Sequence, residues 1–298
     1  MDKIFYNEAS AAKMGWEPEW FGAADFDDDL IEKIITFQKK HNLTADGLCG
    51  PSTHRRIWTD RESRLGTYEQ LPNRESPKIN NILYNNDYYE IEWPKVLLHF
   101  NHGGMHHSKG FKRVVYEKRK PNMFVCHWDV CLNSESCFRV LERRGCSIHF
   151  TIDNSGEIRQ HLDLNHIAVH AGSTANKASI GVEISNAYYP RYNQWYKDNG
   201  FGERPLVKGA KVHGKSMKPF MDFYPVQIEA LKALMKACHK ALDIPLKCPV
   251  DRSGKTSYVV NRAASKGTFN GFVSHYHITR RKIDCANLDL KKLLEEIK

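Results

Sequence analysis

Residues 147–186 read SIHFTIDNSGEIRQHLDLNHIAVHAGSTANKASIGVEISN, and the short alternating runs within them set the fold class. Ser147–Asp153 and Gly156–Leu162 alternate apolar and polar side chains on either side of Asn154-Ser155-Gly156, the chemistry of a hairpin turn. A third run, Ser179–Ser185, follows the loop His170-Ala171-Gly172 and predicts another strand. Upstream, PKVLLHF (94–100) and NMFVCHWD (122–129) are further strand candidates, separated by a glycine- and histidine-rich loop. SESCFRVLERRG (134–145) predicts a helix opened by Ser134 with Glu135 in its first turn, where a carboxylate suits the helix dipole. Downstream, PVQIEALKALMKACHKAL (225–242) places Ile228, Leu231, Leu234, Met235, Cys238 and Leu242 on one apolar face, which predicts a helix packed on the sheet. LDLKKLLEEIK predicts a short closing helix, and the glycine- and lysine-rich segment 200–219 a surface insertion. Strands and helices alternate without a repeat, so the expected class is α/β (α+β): a mixed central sheet flanked by helices.

The N-terminal part reads differently. DDDLIEKIITFQKKHNLTADGLCGPSTHRRIW (27–58) spaces Leu30, Ile31, Ile34, Ile35 and Phe37 as on a helix, then supplies turns at Asp46-Gly47 and Gly50-Pro51 and a Ser52/Thr53 cap for a second helix. The elements Phe37-Gln38, Asn42-Leu43, Asp46-Gly47, Gly50 and Thr53 resemble a peptidoglycan-binding module of three short helices. Residues from about 61 to 92 are polar, contain Pro72 and Pro77 and lack periodicity, which predicts a linker. The expected division is a helical domain at 1–62, a linker at 63–92 and a catalytic domain at 93–298.

The chain has 298 residues and a formal net charge of +9, which favours polyanionic partners: nucleic acid, an anionic membrane or an acidic wall polymer. No apolar run approaches the roughly 18 residues that cross a bilayer, so no stable membrane insertion is expected. Its start, MDKIFYNEASAAKMGW, lacks the basic-then-apolar pattern of an export signal. The eight cysteines are scattered without a CxxC pair, which predicts reduced, structural thiols. Fifteen histidines cluster at 99–107, 161–170 and 275–277 and direct attention to metal chemistry.

A catalytic zinc site needs three protein ligands and an open position, which two histidines and a carboxylate satisfy. His127 ends one apolar run and His275 another, and Asp284 follows nine positions later, far enough for a loop to return it to the same ion. These residues resemble those of the zinc amidase family that includes phage lysozyme-amidases, bacterial N-acetylmuramoyl-L-alanine amidases and peptidoglycan recognition proteins. The resemblance spans about residues 122–290. It rests on Val125-Cys126-His127, on His149-Phe150-Thr151-Ile152-Asp153 with Gly156, on His170-Ala171-Gly172, on Gly181-Val182-Glu183, on His275-Tyr276-His277-Ile278 and on Lys282-Ile283-Asp284, in that order. It implies one catalytic Zn2+ held by His127, His275 and Asp284, with Glu183 as general base and Lys282 stabilising the oxyanion. His170 and Asn186 are then expected to bind substrate. The bond implied joins the lactyl group of N-acetylmuramic acid to L-alanine of the stem peptide.

The sequence departs from the family pattern at Ile148, where some relatives have tyrosine, at Val169, where an aromatic is common, and at Cys285, where proline is common. Cys285 and His277 stand as rival ligands, His277 because two residues along a strand restore the same facing. The run LLHFNHGGMHH, with His99, His102, His106 and His107, imitates a metal motif but lacks partners in the right order and reads as a polar loop. The expected function is a monomeric endolysin, made in a host cytoplasm without a signal peptide and acting on the wall after release, with a holin-type partner. A non-catalytic peptidoglycan receptor and a wall-recycling amidase are the alternatives. A nucleic-acid binder would need a basic helix or an aromatic platform, and neither is evident.

Overall fold

The computed structural model describes residues 2–64 and 79–298. The N-terminal unit consists of α1 (Lys3–Met14), a 3-10 turn at Pro18–Trp20, α2 (Asp28–Lys40) and α3 (Pro51–Glu62). Asp2 and Asp27 cap α1 and α2 by accepting backbone N–H bonds, and Gly15 ends α1 at a φ of 66°, a conformation open to glycine without strain. Leu30 and Ile34 of α2 bury against Met14 and Trp16. The expected Ser52/Thr53 cap is not used: α3 starts at Pro51, whose ring supplies the helical φ and whose missing N–H costs nothing at that position. Thr53 instead accepts from Gln38, a buried amide that also donates to Asp46 and Leu48 and accepts from the Gly47 N–H. This hub is why the glutamine, the D-G turn and the threonine occur together.

The larger unit is built on strands β1 (Asn80–Tyr84), β2 (Asp87–Ile91), β3 (Val96–Leu98), β4 (Phe111–Lys112), β5 (Met123–Trp128), β6 (Phe150–Ile152), β7 (Ile158–Gln160), β8 (Ile167–Ala168) and β9 (Ser179–Ile184), followed by β10 (Leu206–Val207), β11 (Lys211–Val212), β12 (Lys215–Ser216), β13 (Phe220–Met221) and β14 (Gly271–Ser274). Its helices are α4 (Ser134–Arg144), α5 (Ser173–Ala178), α6 (Asn193–Asp198), α7 (Pro225–Leu242), α8 (Arg262–Ser265), α9 (His275–Ile278) and α10 (Leu290–Glu296). The main sheet has the order β14-β5-β9-β6-β7-β3. β14, β5, β9 and β6 run parallel, whereas β7 returns antiparallel through the hairpin at 153–157. The mixed sheet flanked by helices is the expected class. α7 lies on it with Leu231, Leu234, Met235 and Cys238 fully buried, and each of the leucine and methionine side chains contributes roughly 1.5–3 kcal/mol.

Two further local expectations change. β1 and β2 pair as a hairpin inside the stretch expected to be a linker, and Ile82, Tyr84 and Ile91 join the main core. Alternating apolar side chains at 82, 84 and 91 were too few to register as a period, and residues 65–78 lie outside those described. The α4 cap is Asn133, whose side chain accepts from the Ser136 N–H, one position before the expected Ser134. The segment 200–219 is mostly exposed, as expected of a surface insertion, and it is anchored where Val207 and Val212 pack into the core and β10 pairs with β13.

The N-terminal unit is docked rather than tethered. Trp58 of α3 packs with Val140, Leu141 and Ile148, the Thr59 hydroxyl donates to the Val130 carbonyl at 3.0 Å, and Ser136 donates to the Glu62 carboxylate. On the far side, the Tyr189 hydroxyl donates to the His41 carbonyl at 2.6 Å. Among the described residues no helix is long and apolar enough to cross a membrane.

Candidate active site

Parallel pairing delivers the site. In the β5–β9 ladder His127 stands opposite Glu183, and in the β5–β14 ladder Ser274 stands opposite Cys126, so His275 emerges at the level of His127. Residues in register on neighbouring strands point to the same face, about 4.8 Å apart. The C-terminal ends of β14, β5 and β9 therefore present His275, His127 and Glu183 as a row. Asp284 reaches them from a loop closed by Tyr276 N–H donating to the Asp284 carbonyl (3.1 Å) and Lys282 N–H donating to the Thr279 carbonyl (3.2 Å). His213, from the β11–β12 turn, donates to the Lys282 carbonyl at 3.0 Å and braces that loop.

His127 Nδ1 lies 2.9 Å from His275 Nδ1, and the two are 3.2 and 3.0 Å from Asp284 Oδ2. All three side chains are buried, and their donor atoms lie within 4.8 Å of one another. The protons around His127 can be placed. Ser179 Oγ donates to the Ala175 carbonyl at 2.7 Å, so it accepts from His170 Nε2 at 3.3 Å. His170 Nδ1 is then a bare acceptor, and His127 Nε2, 2.9 Å away, must donate to it. Consequently His127 Nδ1 carries a lone pair aimed at His275 and Asp284. The His127 lone pair and the Asp284 carboxylate, converging in a buried space, repel unless a cation or a proton on His275 lies between them. The donor set, two imidazoles and a carboxylate, is one that suits zinc, and the outward hydrogen bond of His127 is the usual companion of a metal-bound histidine.

The electrostatics agree with that role. Burial lowers the pKa of His127, and burial drives that of His170 well below the ordinary value, so both rings are neutral. Burial alone would raise Asp284, but its neighbours, His275 foremost and Lys282 among them, outweigh it and hold the carboxyl well below its usual range. Two residues beyond His127, burial pushes the Asp129 carboxyl up to about 8. Its Oδ1 accepts from the N–H groups of Cys131 and Asn186 and fixes the turn after β5. Glu183 is buried, and its Oε2 has no hydrogen-bond partner among the described residues. It lines the same pocket as His127, His275, Asp284 and Lys282.

Other expected residues fall elsewhere. Asn186 does not line the pocket; it is buried, donating to the Met221 carbonyl (2.7 Å) and accepting from the Tyr188 N–H (2.8 Å), and so clamps the loop after β9. His170 does line the pocket, but its ring nitrogens face His127 and Ser179. Gly181 makes that placement possible, because a Cβ there would stand 2.6 Å from His170 Nδ1. His277 turns away: β14 gives way to the helical turn α9 at His275, so a two-residue step no longer restores the facing. It donates to the Ser257 carbonyl at 2.6 Å instead. Cys285 packs into the main core with its thiol pKa raised by burial. His149 accepts from the Gly181 N–H and donates to the His166 carbonyl, a structural histidine.

Two pocket residues had no signal in the sequence. Arg55 comes from α3 of the N-terminal unit and Arg144 from the last turn of α4. Each reads alone as a solvated charge on a helix, and only docking of the two units brings them together.

A family model described as N-acetylmuramoyl-L-alanine amidase matches residues 117–285. None of the curated proteins matches. Among solved structures, the chain is similar to the endolysine N-acetylmuramoyl-L-alanine amidase LysCS from Clostridium intestinale URNW, at 14% identity and a TM-score of 0.40, over 68% of this chain and 95% of that one. It is similar to a mutant endolysin from Bacillus subtilis at 19% identity and a TM-score of 0.36, over 68% and 99%. It is also similar to AmpDh3 from Pseudomonas aeruginosa, solved with an anhydromuramic pentapeptide, at 20% identity and a TM-score of 0.39, over 62% of each chain. The matched segment exceeds half of the chain and holds every residue of the His127–His275–Asp284 group together with Glu183 and Lys282. The chain therefore belongs to the N-acetylmuramoyl-L-alanine amidase family.

Proposed function

We propose that this chain is a zinc-dependent endolysin that hydrolyses the amide between the lactyl group of N-acetylmuramic acid and L-alanine of the stem peptide. The observation that carries the reading is the buried convergence of His127, His275 and Asp284 beside a carboxylate oxygen of Glu183 that no hydrogen bond occupies. A zinc ion held by those three residues would supply Lewis-acid polarisation of the carbonyl and a water of lowered pKa. Glu183 accepts the proton of the attacking water and passes it to the leaving nitrogen. Lys282, on the pocket wall, offers an ammonium to the negative charge developing on the carbonyl oxygen. His170 holds His127 in the tautomer that leaves Nδ1 open.

In this reading the helical unit at 1–62 is a wall-binding module and the unit beyond the undescribed residues 65–78 carries the chemistry. The net charge of +9 draws the enzyme to an anionic wall polymer rather than to nucleic acid. The protein acts as a monomer, without stable membrane insertion, after a holin-type partner opens the way from the cytoplasm. The test is mass spectrometry of peptidoglycan digests. Zinc-loaded protein is expected to release stem peptides with N-terminal alanine, and Glu183→Gln to keep its zinc while losing roughly 100- to 10,000-fold in kcat. Absence of alanine-terminated peptides with the zinc-loaded wild type would overturn the reading.

A further inference from the structure

The chemistry above uses one of the three cations that line the pocket. Lys282 has a task; Arg55 and Arg144 do not. They face the pocket from α3 and from the last turn of α4, and both are only half-buried. Among the described residues no carboxylate lies within ion-pair distance of either guanidinium, and Arg144 Nε is buried without a hydrogen-bond partner. Burial and the Arg55 charge both disfavour the Arg144 charge, a cost that a bound anion would offset, and each guanidinium fork matches a carboxylate by bidentate hydrogen bonding. Burial, then the neighbouring Arg55 charge, pull the Arg144 guanidinium down to about 10, so both remain charged at neutral pH.

Arg55 and Glu183 line the same pocket; burial opposes the Arg55 charge, but the neighbouring charges, of which Glu183 is the largest, together raise its pKa. Glu183 serves the leaving nitrogen in the proposed reaction, and the leaving group is the stem peptide, which carries carboxylates. We infer that Arg55 of the N-terminal unit and Arg144 of α4 together form a carboxylate subsite for the leaving stem peptide, so that the helical unit completes the substrate pocket. This rests on the amidase reading above. The docking contacts give it a structural basis: Trp58, three residues after Arg55, is fixed against Val140 and Leu141 of α4, which holds the two arginines on facing helices.

The test measures binding apart from turnover. Calorimetry with full-length, zinc-loaded protein compares a stem peptide bearing free carboxylates with the same peptide fully amidated. Wild type is expected to bind the free form at least tenfold more tightly, Arg55→Ala to lose that preference by about tenfold, and Arg55→Lys to retain part of it. Arg144→Gln is expected to act in the same direction and serves if Arg55→Ala fails to fold. A preference that changes by less than threefold in the folded variants, or that wild type lacks, overturns the subsite. Release of alanine-terminated peptides is scored separately, so loss of the amidase reading and loss of the subsite are distinguishable.

Discussion

Two of the histidine groups among the described residues stand in contrast: one converges on a shared point and the other does not. His127 and His275 sit at the ends of neighbouring parallel strands, with their Nδ1 atoms 2.9 Å apart and Asp284 beside them. His99, His102, His106 and His107 are denser in sequence yet spread over a loop. There the His99 and His106 rings pack at 4.8 Å, His102 is exposed, and His107 spends its nitrogens on Glu142 (2.8 Å) and the Ile148 N–H (3.2 Å). The difference is scaffold. A hydrogen-bonded ladder fixes two Cα positions close enough for imidazoles to share one point, whereas the loop histidines face different directions and take separate partners.

This contrast can be broken at its strongest point first. His127→Ala is expected to abolish zinc binding and to lower activity by 10,000-fold or more, while His102→Ala and His106→Ala keep full zinc content by metal analysis. Loss of zinc from the loop variants would show that the second group also binds metal. A finer probe is His170→Ala, which removes the acceptor that orients His127. Zinc affinity is expected to fall about 10- to 100-fold, read by chelator competition, with the fold intact. An unchanged affinity would mean that the tautomer of His127 is set by something else.

The smallest effect concerns His107 and is expressed as stability. Burial lowers its pKa to about 4, against 6.5 in the unfolded chain. Between those values the unfolded chain holds more protons than the folded one, so stability rises with pH. It is fully present above about 6.5 and is lost as pH falls toward 4. His54 and His277, also held down to about 4 by burial, act in the same direction. His107→Gln is expected to reduce the drop in unfolding free energy between pH 7 and pH 4 by up to roughly 3 kcal/mol, and to retain zinc. Parallel pH profiles for variant and wild type would refute it.

Much of the site was legible because its residues sit at the ends of short apolar runs in a fixed order. His127, Glu183 and His275 each terminate or nearly terminate a strand, and a parallel sheet collects strand ends on one edge. The hairpin at 154–156 and the α7 face were legible for the same reason, since periodicity and turn chemistry act over a few residues. What failed to read were relations across the chain. Asn186 is expected from the sequence to bind substrate, but its amide is consumed by Met221 and Tyr188. The β1–β2 hairpin hid in a polar stretch because its burial comes from a core more than a hundred residues away in part.

The sequence by itself determined the class of fold, the order of the site residues and the roles that their chemistry permits, because hydrophobic periodicity and residue type are local properties. Only the tertiary structure chose among rivals. It turned His277 away by starting a helical turn at His275, and it sank Cys285 into the core while Asp284 faced the site. It set His170 against His127 over the bare face of Gly181, and it carried Arg55 from a separate helical unit to the pocket wall. Direction, burial and the company of distant side chains come from packing, and packing is decided by the whole chain at once.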